Sequence, residues 1–302
     1  MLRRTSLALL AAVVLSSVAH GQGVQPRIAL VASMSILADF AREVGGERVE
    51  VVSLVGPNAD VHGFEPSPAD ARRLAEARLV VVNGLGLEGW LPRLVKASGT
   101  KALVVESASG VSAMAGEHEH GGQAAARRDD PHAWQDVHNA KVYVENIRAA
   151  LARVDPDGAA TYGANARRYA ATLDALDRDI RNALAVVPPS RREIITTHDA
   201  FGYFGHAYGL RFTAPQGVST ESEASAADIA RIIRQVKARK IRAVFLENIS
   251  DPRLAERIAR EGGARVGEKV YSDALSPADG PAATYVAMMR HNLRAFLATL
   301  SD

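Results

Sequence analysis

The chain of 302 residues contains no cysteine. That excludes disulfides, thiolate metal sites and attachment of a lipid through an N-terminal cysteine. Whatever folds here is held by apolar cores alone. Net charge is almost as scarce. The formal value is +2, and Arg3 and Arg4 account for both charges. Past Gly21, acidic and basic side chains balance. A balanced surface offers no broad basic face for nucleic acid or anionic lipid. Apolar runs long enough to span a bilayer are also missing after Leu7–Leu15. So are the H-E-x-x-H and G-x-S-x-G patterns of zinc proteases and serine hydrolases.

The N-terminus has the three parts of a secretory signal. Arg3 and Arg4 form its positive start, Leu7–Leu15 its apolar stretch, and Ala19 and Gly21 its small residues at the −3 and −1 positions. Residues 1–21 are expected to be cleaved after Gly21. The natural compartment of the mature chain is then a bacterial periplasm.

The remainder alternates between strand and helix signals. Ile28–Ala32, Val49–Leu54, Leu79–Asn83 and Ala102–Val105 are rich in Val, Ile and Leu without polar alternation. Parallel strands covered on both faces read this way. Helical stretches separate them at Ser35–Val44, Pro68–Ala77 and Leu87–Ala97, with Ser67 placed to cap the second. A second set follows, with strands Glu193–Thr197, Leu210–Thr213, Ala243–Leu246 and Arg265–Val270. Its helices are Ala200–Tyr208, Ala226–Ala238, Pro252–Glu261 and Ala282–Leu300, and Ser225 with Asp228 has capping-box spacing.

Between the sets lie helical stretches at Asn139–Arg153 and Gly158–Val186. The second would run roughly 43 Å, long enough to span both halves and to oppose a large hinge. The expected fold is α/β with two lobes, each a roughly four-stranded parallel sheet flanked by helices, linked by one long spanning helix. The divisions are an N-terminal lobe at 22–156, the spanning helix at 157–187 and a C-terminal lobe at 188–302. No internal sequence repeat is evident. Ala108–Arg128, rich in Ala, Gly and Ser, reads as a mobile surface loop.

Histidine placement carries the chemistry. His62 lies in the loop after the second strand, His132 after the fourth, and His198 directly after Ile194–Thr197. Asp273 directly follows the last strand. A single histidine after a strand is ordinarily a hydrogen-bonded loop residue. Here all four residues sit at carboxyl ends of strands, the edge where open parallel sheets bind ligands. Two lobes facing along those edges would bring three imidazoles and one carboxylate together, a donor set suited to Zn²⁺ and other borderline metals. Asp60 and Asp130 stand two residues before His62 and His132, and Glu247 ends a strand. These acids are candidates for orienting the imidazoles from behind, or equally for capping turns. Trp134 is placed to shield the site from water, while His138, His206 and His291 read as surface or packing residues.

Four ordered segments extend this to a family resemblance. Residues 55–70 (V-G-P-N-A-D-V-H-G-F-E-P-S-P-A-D), 130–134 (D-P-H-A-W), 196–204 (T-T-H-D-A-F-G-Y-F) with 208–210 (Y-G-L), and 271–276 (Y-S-D-A-L-S) resemble the ligand segments of the cluster A-I solute-binding receptors. These are the periplasmic zinc and manganese receptors of metal ABC transporters. Residues 216–221 (Q-G-V-S-T-E) also fit, and the resemblance runs from Ile28 to the C-terminus. It implies a two-lobed receptor with metal ligands at His62, His132, His198 and Asp273. The partner it implies is a membrane permease, with a periplasmic metallochaperone as a further candidate. No nucleic-acid partner is expected, and the receptor should be a monomer. The family's manganese members commonly carry Glu at the third position, where this chain has His198. Nitrogen donors favour zinc over manganese, so zinc is the expected cargo, with Mn²⁺ as the alternative.

Two features depart from the family pattern. His138 stands where a non-histidine residue is usual, and the Glu117–His120 loop, with His118 and His120 as auxiliary metal-recruiting candidates, is short. A secreted zinc-dependent hydrolase is the rival reading. A catalytic zinc keeps an open position beside three protein ligands, whereas four are available here, so no enzyme activity is expected.

Overall fold

The computed structural model describes residues 27–116 and 129–300. The expected signal segment and His118 and His120 lie outside the described residues. The first sheet comprises β1 (Ile28–Met34), β2 (Val49–Val55), β3 (Leu79–Val82) and β4 (Leu103–Glu106) in the order β2-β1-β3-β4. The second comprises β5 (Glu193–Ile195), β6 (Arg211–Thr213), β7 (Ala243–Val244) and β8 (Arg265–Val266) in the order β6-β5-β7-β8. All pairings within both sheets are parallel. The two sheets therefore repeat one topology although no sequence repeat is visible. In each, the chain first moves to one side of the opening strand and then to the other. That reversal opens a crevice at the carboxyl ends of β1/β3 and of β5/β7.

Burial on both faces explains the apolar runs of β1 and β3, whereas the edge strands β2 and β4, expected to be covered on both faces, leave one face open at Val52 and Val104. Leu30, Ala32, Leu79 and Val81 point into a central core, while Val31, Val80 and Val82 join Leu74 and Leu94 on the opposite face. In the second sheet Ile194 and Phe245 point centrally, and Ile195 and Val244 pack with Ile232, Val236 and Ile258. The central core is shared: it runs through both sheets and through α1 (Ser35–Gly45), α4 (Val137–Val154), α5 (Ala159–Ala185) and α9 (Tyr285–Leu300). The outer faces are covered by α2 (Pro68–Glu76) and α3 (Leu91–Ser98) on the first sheet. On the second they are covered by α7 (Ala226–Arg239) and α8 (Pro252–Gly262), while α6 (Gly202–Tyr208) lies beside β6. Spanning α5 buries Tyr162, Tyr169, Leu173, Leu176, Ile180 and Leu184 along one stripe at helical spacing. One core common to both sheets leaves little apolar surface to slide or hinge.

Local signals placed most boundaries. Ser67 caps α2 in a full capping box with Asp70, and Ser225 accepts from Asp228 N–H at the start of α7. Two expectations are corrected. The helix expected at Leu87–Ala97 begins only at Leu91, because residues 87–90 are coil and turn, with the Glu88 carboxylate drawn back to the N–H groups of Asn83 and Gly84. The strand expected at Arg265–Val270 ends at Val266, with one later isolated bridge between Val270 and Glu247. Among the described residues no helix is long and apolar enough to cross a membrane.

Candidate metal centre

Each candidate donor lies beyond the carboxyl end of a strand, and its neighbouring backbone is tied by hydrogen bonds. After β2 the chain turns through Asn58, and the carboxylate of Asp60 accepts the backbone N–H of His62 at 2.9 Å. Asp130 accepts the backbone N–H of His132 in the same way, also at 2.9 Å. After β5, Glu247 Oε1 accepts the N–H groups of Thr197 at 2.9 Å and His198 at 2.8 Å. Before Asp273, the Asn292 side chain holds Tyr271 through both its N–H and its carbonyl, at 2.9 and 2.7 Å.

The four side chains meet in the crevice. His62, His132, His198 and Asp273 each offer one donor atom, and all four atoms lie within 4.8 Å of one another. The Nε2 atoms of His62 and His132 are 3.3 Å apart. Asp273 Oδ2 is 3.2 Å from Nε2 of His62 and 3.2 Å from Nε2 of His198, and Oδ1 is 3.6 Å from Nε2 of His132. Four donors at Zn–N and Zn–O bond lengths stand about 3.3 Å apart along a tetrahedron's edges. His132, His198 and Asp273 are fully buried and His62 is 5% exposed. Both carboxylate oxygens of Asp273 and Nε2 of His198 lack any hydrogen-bond partner. Buried polar atoms left without partners are costly, and a cation at their common focus would satisfy all three.

The ring nitrogens facing away from the focus define the tautomers. A carboxylate only accepts, so Nδ1 of His132 donates to Asp130 Oδ1 at 2.7 Å and leaves Nε2 for the focus. Nδ1 of His198 lies 2.6 Å from Glu247 Oε2, a charge contact rather than an aligned hydrogen bond. Asp60 does not reach the His62 ring; its second oxygen accepts from Thr220 Oγ1 at 2.5 Å instead. The two Asp-x-His echoes thus share the turn, and only Asp130 also holds the imidazole. Trp134 is buried with its ring 5.2 Å from that of His132. His138 and His206 are exposed, while His291 is buried and donates to Lys269 O at 2.8 Å.

Charge is tightly balanced at the focus. Burial pulls His132 down, but Asp273 and Asp130 outweigh it and push its pKa up to about 9. Burial likewise opposes charge on His198, yet Glu247 and Asp273 hold it well above the usual range. Burial would raise Asp273 and Glu247; the imidazoles beside them drive Asp273 well below the usual carboxylate range and lower Glu247.

Supports that the sequence did not disclose are the backing of the ligand loops. Trp90 donates to Val61 O, Asn83 to Pro131 O, and Trp134 with Gln135 to Ser272 O. Each of those carbonyls immediately precedes a candidate ligand. The Gly-x-Gly pattern at 84–86, directly after a strand, was the one local sign of an unusual turn there.

Two parallel sheets sharing a core, with a buried three-histidine, one-carboxylate cluster between their ligand edges, have the build of a metal-binding receptor. The chain belongs to the family described as zinc-uptake complex component A, periplasmic, whose pattern matches residues 30–299. It is 35% identical over 273 residues to the manganese-binding lipoprotein MntA of Halalkalibacterium halodurans, covering 90% of this chain and 88% of that one. It is 31% identical over 260 residues to the iron-binding protein YfeA of Yersinia pestis, with 86% and 82% covered. Among solved structures, the periplasmic zinc-binding protein TroA from Treponema pallidum superposes with a TM-score of 0.83 at 29% identity, over 91% of this chain and 99% of that one. The chain is a metal-binding receptor of an ABC transporter.

Proposed function

We propose that the cargo is Zn²⁺, held by His62, His132, His198 and Asp273, and that the receptor hands it to the permease of an ABC importer. The observation that carries this reading is the convergence of four buried donor atoms within 4.8 Å of one another, with four contacts among their side chains at 3.2–3.6 Å, near the edge of a zinc tetrahedron. Three nitrogens and one oxygen suit zinc better than Mn²⁺, which prefers more oxygen donors. The relatives' names divide between manganese, iron and zinc, so the donor set, not the relatives, supports the choice. Mn²⁺ is the alternative.

Four buried donors leave no open position for a reactive water, which favours a receptor over a zinc hydrolase. The mature receptor would begin after Gly21 and work as a monomer. Its lobes would span 22–156 and 188–302, joined by the helix of 157–187. A periplasmic metallochaperone is a candidate donor of the ion, with His118 and His120 as auxiliary recruiting residues.

The test is metal analysis of untagged protein, followed by competition titration of Zn²⁺ against Mn²⁺. One tightly held zinc per chain, out-competing manganese, is expected. Preferential retention of manganese would overturn the zinc assignment, and zinc-dependent hydrolysis of an ester or peptide would revive the enzyme.

A further inference from the structure

The two ligand loops of the first sheet are held by one short segment. Trp90 Nε1–H donates to Val61 O at 2.9 Å, immediately before His62. Asn83 Nδ2–H donates to Pro131 O at 2.9 Å, immediately before His132. The two donors stand at opposite ends of the connection between β3 and α3. Tyr143 OH donates to Asn83 Oδ1 at 2.6 Å, which fixes the amide so that its NH₂ faces Pro131.

The backbone between them is left-handed, and strained at Leu85. Gly84, Leu85 and Gly86 have φ of 86°, 54° and 77°. The two glycines take this conformation freely, but a left-handed leucine between them persists only where the surroundings impose it. Glu88 imposes it here. Its buried carboxylate accepts Asn83 N–H at 2.7 Å, Gly84 N–H at 3.3 Å and the Ser33 hydroxyl at 2.6 Å. A connection needed only to join a strand to a helix would require neither a buried acid nor a left-handed leucine.

We infer that Asn83–Trp90 is a positioning hook for the metal site, in which Glu88 folds the turn and Asn83 and Trp90 set the spacing of His132 and His62. The inference rests on the reading of those histidines as ligands. One arm reaches each ligand loop through the carbonyl before the histidine. The hook therefore governs how far apart two of the four donors stand, while touching neither imidazole.

The experiment is chelator-buffered Zn²⁺ titration of the whole chain. Trp90→Phe keeps an aromatic ring against Phe64, whose centroid lies 5.0 Å from that of Trp90, while it deletes the N–H donor and trims the indole to a single ring. It should weaken Kd by about tenfold, the lower end for loss of a group behind a metal ligand. In a His62→Ala background the same change should add less than about twofold, and in a His132→Ala background its full cost should remain. Asn83→Ala should show the reverse dependence. Glu88→Gln should cost at least about tenfold and alter the visible absorption of the Co²⁺-loaded protein. If Glu88→Gln fails to fold, the Trp90 series decides alone. An unchanged Kd for Trp90→Phe, or an equal cost in both backgrounds, would mean that Trp90 only packs and that the hook does not exist. An unchanged Kd for His62→Ala would instead sink the ligand assignment, and the hook with it.

Discussion

Trp134 donates its indole N–H to the carbonyl of Ser272 at 3.0 Å. The bond links the residue two past His132 to the residue before Asp273, from the loop after the first sheet to the loop after the second. Gln135 Nε2–H donates to the same carbonyl at 3.0 Å, and Tyr285 OH donates to Trp134 O at 2.7 Å. The separation of two donors is thereby set by a doubly held carbonyl.

Because that carbonyl has two donors, removing one should leave it satisfied. Trp134→Phe and Gln135→Leu should each weaken zinc binding only severalfold, and their combination should cost more than the sum. The excess reflects a buried carbonyl left bare, worth about 1–3 kcal/mol. Zinc titration of the two single variants and the double variant checks this; strict additivity would show that the carbonyl does not depend on them.

His198→Glu puts an oxygen donor where nitrogen now stands, but it also sets a second carboxylate against Glu247, now 2.6 Å from the ring. Zinc affinity should fall, and the zinc-to-manganese ratio should shift by about tenfold or more toward manganese. Adding Glu247→Gln should recover part of the lost affinity by removing the repulsion. An unshifted ratio in competition titrations would take His198 out of the donor set.

Zinc needs a neutral imidazole. His132, with its pKa raised to about 9 in the metal-free protein, carries a proton at pH 7. Binding at pH 7 should therefore release at least one proton per ion. Affinity should fall about tenfold per pH unit for each proton displaced, from about pH 9 downward. Calorimetry in two buffers of different ionisation enthalpy measures the release; identical heats would contradict it.

Gly202 opens α6 directly against Asp130. A Cβ added there would lie 2.7 Å from Asp130 Oδ2, although the backbone is outside the left-handed region. Gly202→Ala should therefore fold while displacing the carboxylate that holds Nδ1 of His132. Zinc affinity should drop by about tenfold to a hundredfold, with a stability cost of about 1–3 kcal/mol from overpacking. A Kd unchanged from the parent would show that the Asp130 contact does not matter to the site.

Asp39 on α1 accepts the N–H of Tyr285, the first residue of α9, at 2.8 Å. Burial raises its pKa from 3.8 to about 6 despite that bond. A carboxyl raised on folding binds more protons in the native state. Its contribution is therefore most favourable below about pH 4 and is lost as pH rises through 6. Asp39→Asn should gain about 1 to 1.5 kcal/mol relative to the parent between pH 5 and pH 7.5. Urea unfolding of both proteins at the two pH values reads the difference; a gap that does not widen with pH would exclude the effect.

Much of this protein was legible before folding. Two-face burial writes Val, Ile and Leu runs such as Leu79–Val82 directly into the sequence, and capping writes Ser67 and Asp70. Ligand chemistry is equally local, since an imidazole or carboxylate at a strand's end can be read residue by residue, as at His198 and Asp273. What folding alone decided is who stands behind the donors. Asp60 and Asp130 have the same spacing to their histidines, yet only Asp130 reaches the ring, because Asp60 is engaged by Thr220, 160 residues away. Trp90 and Gly202 act on loops far off in the chain, so their neighbours in sequence give no sign of their partners. Residue types and spacings set which groups can bind a metal. The shared core set their distances, because only packing brings together hydrogen-bonding groups that the chain itself keeps apart.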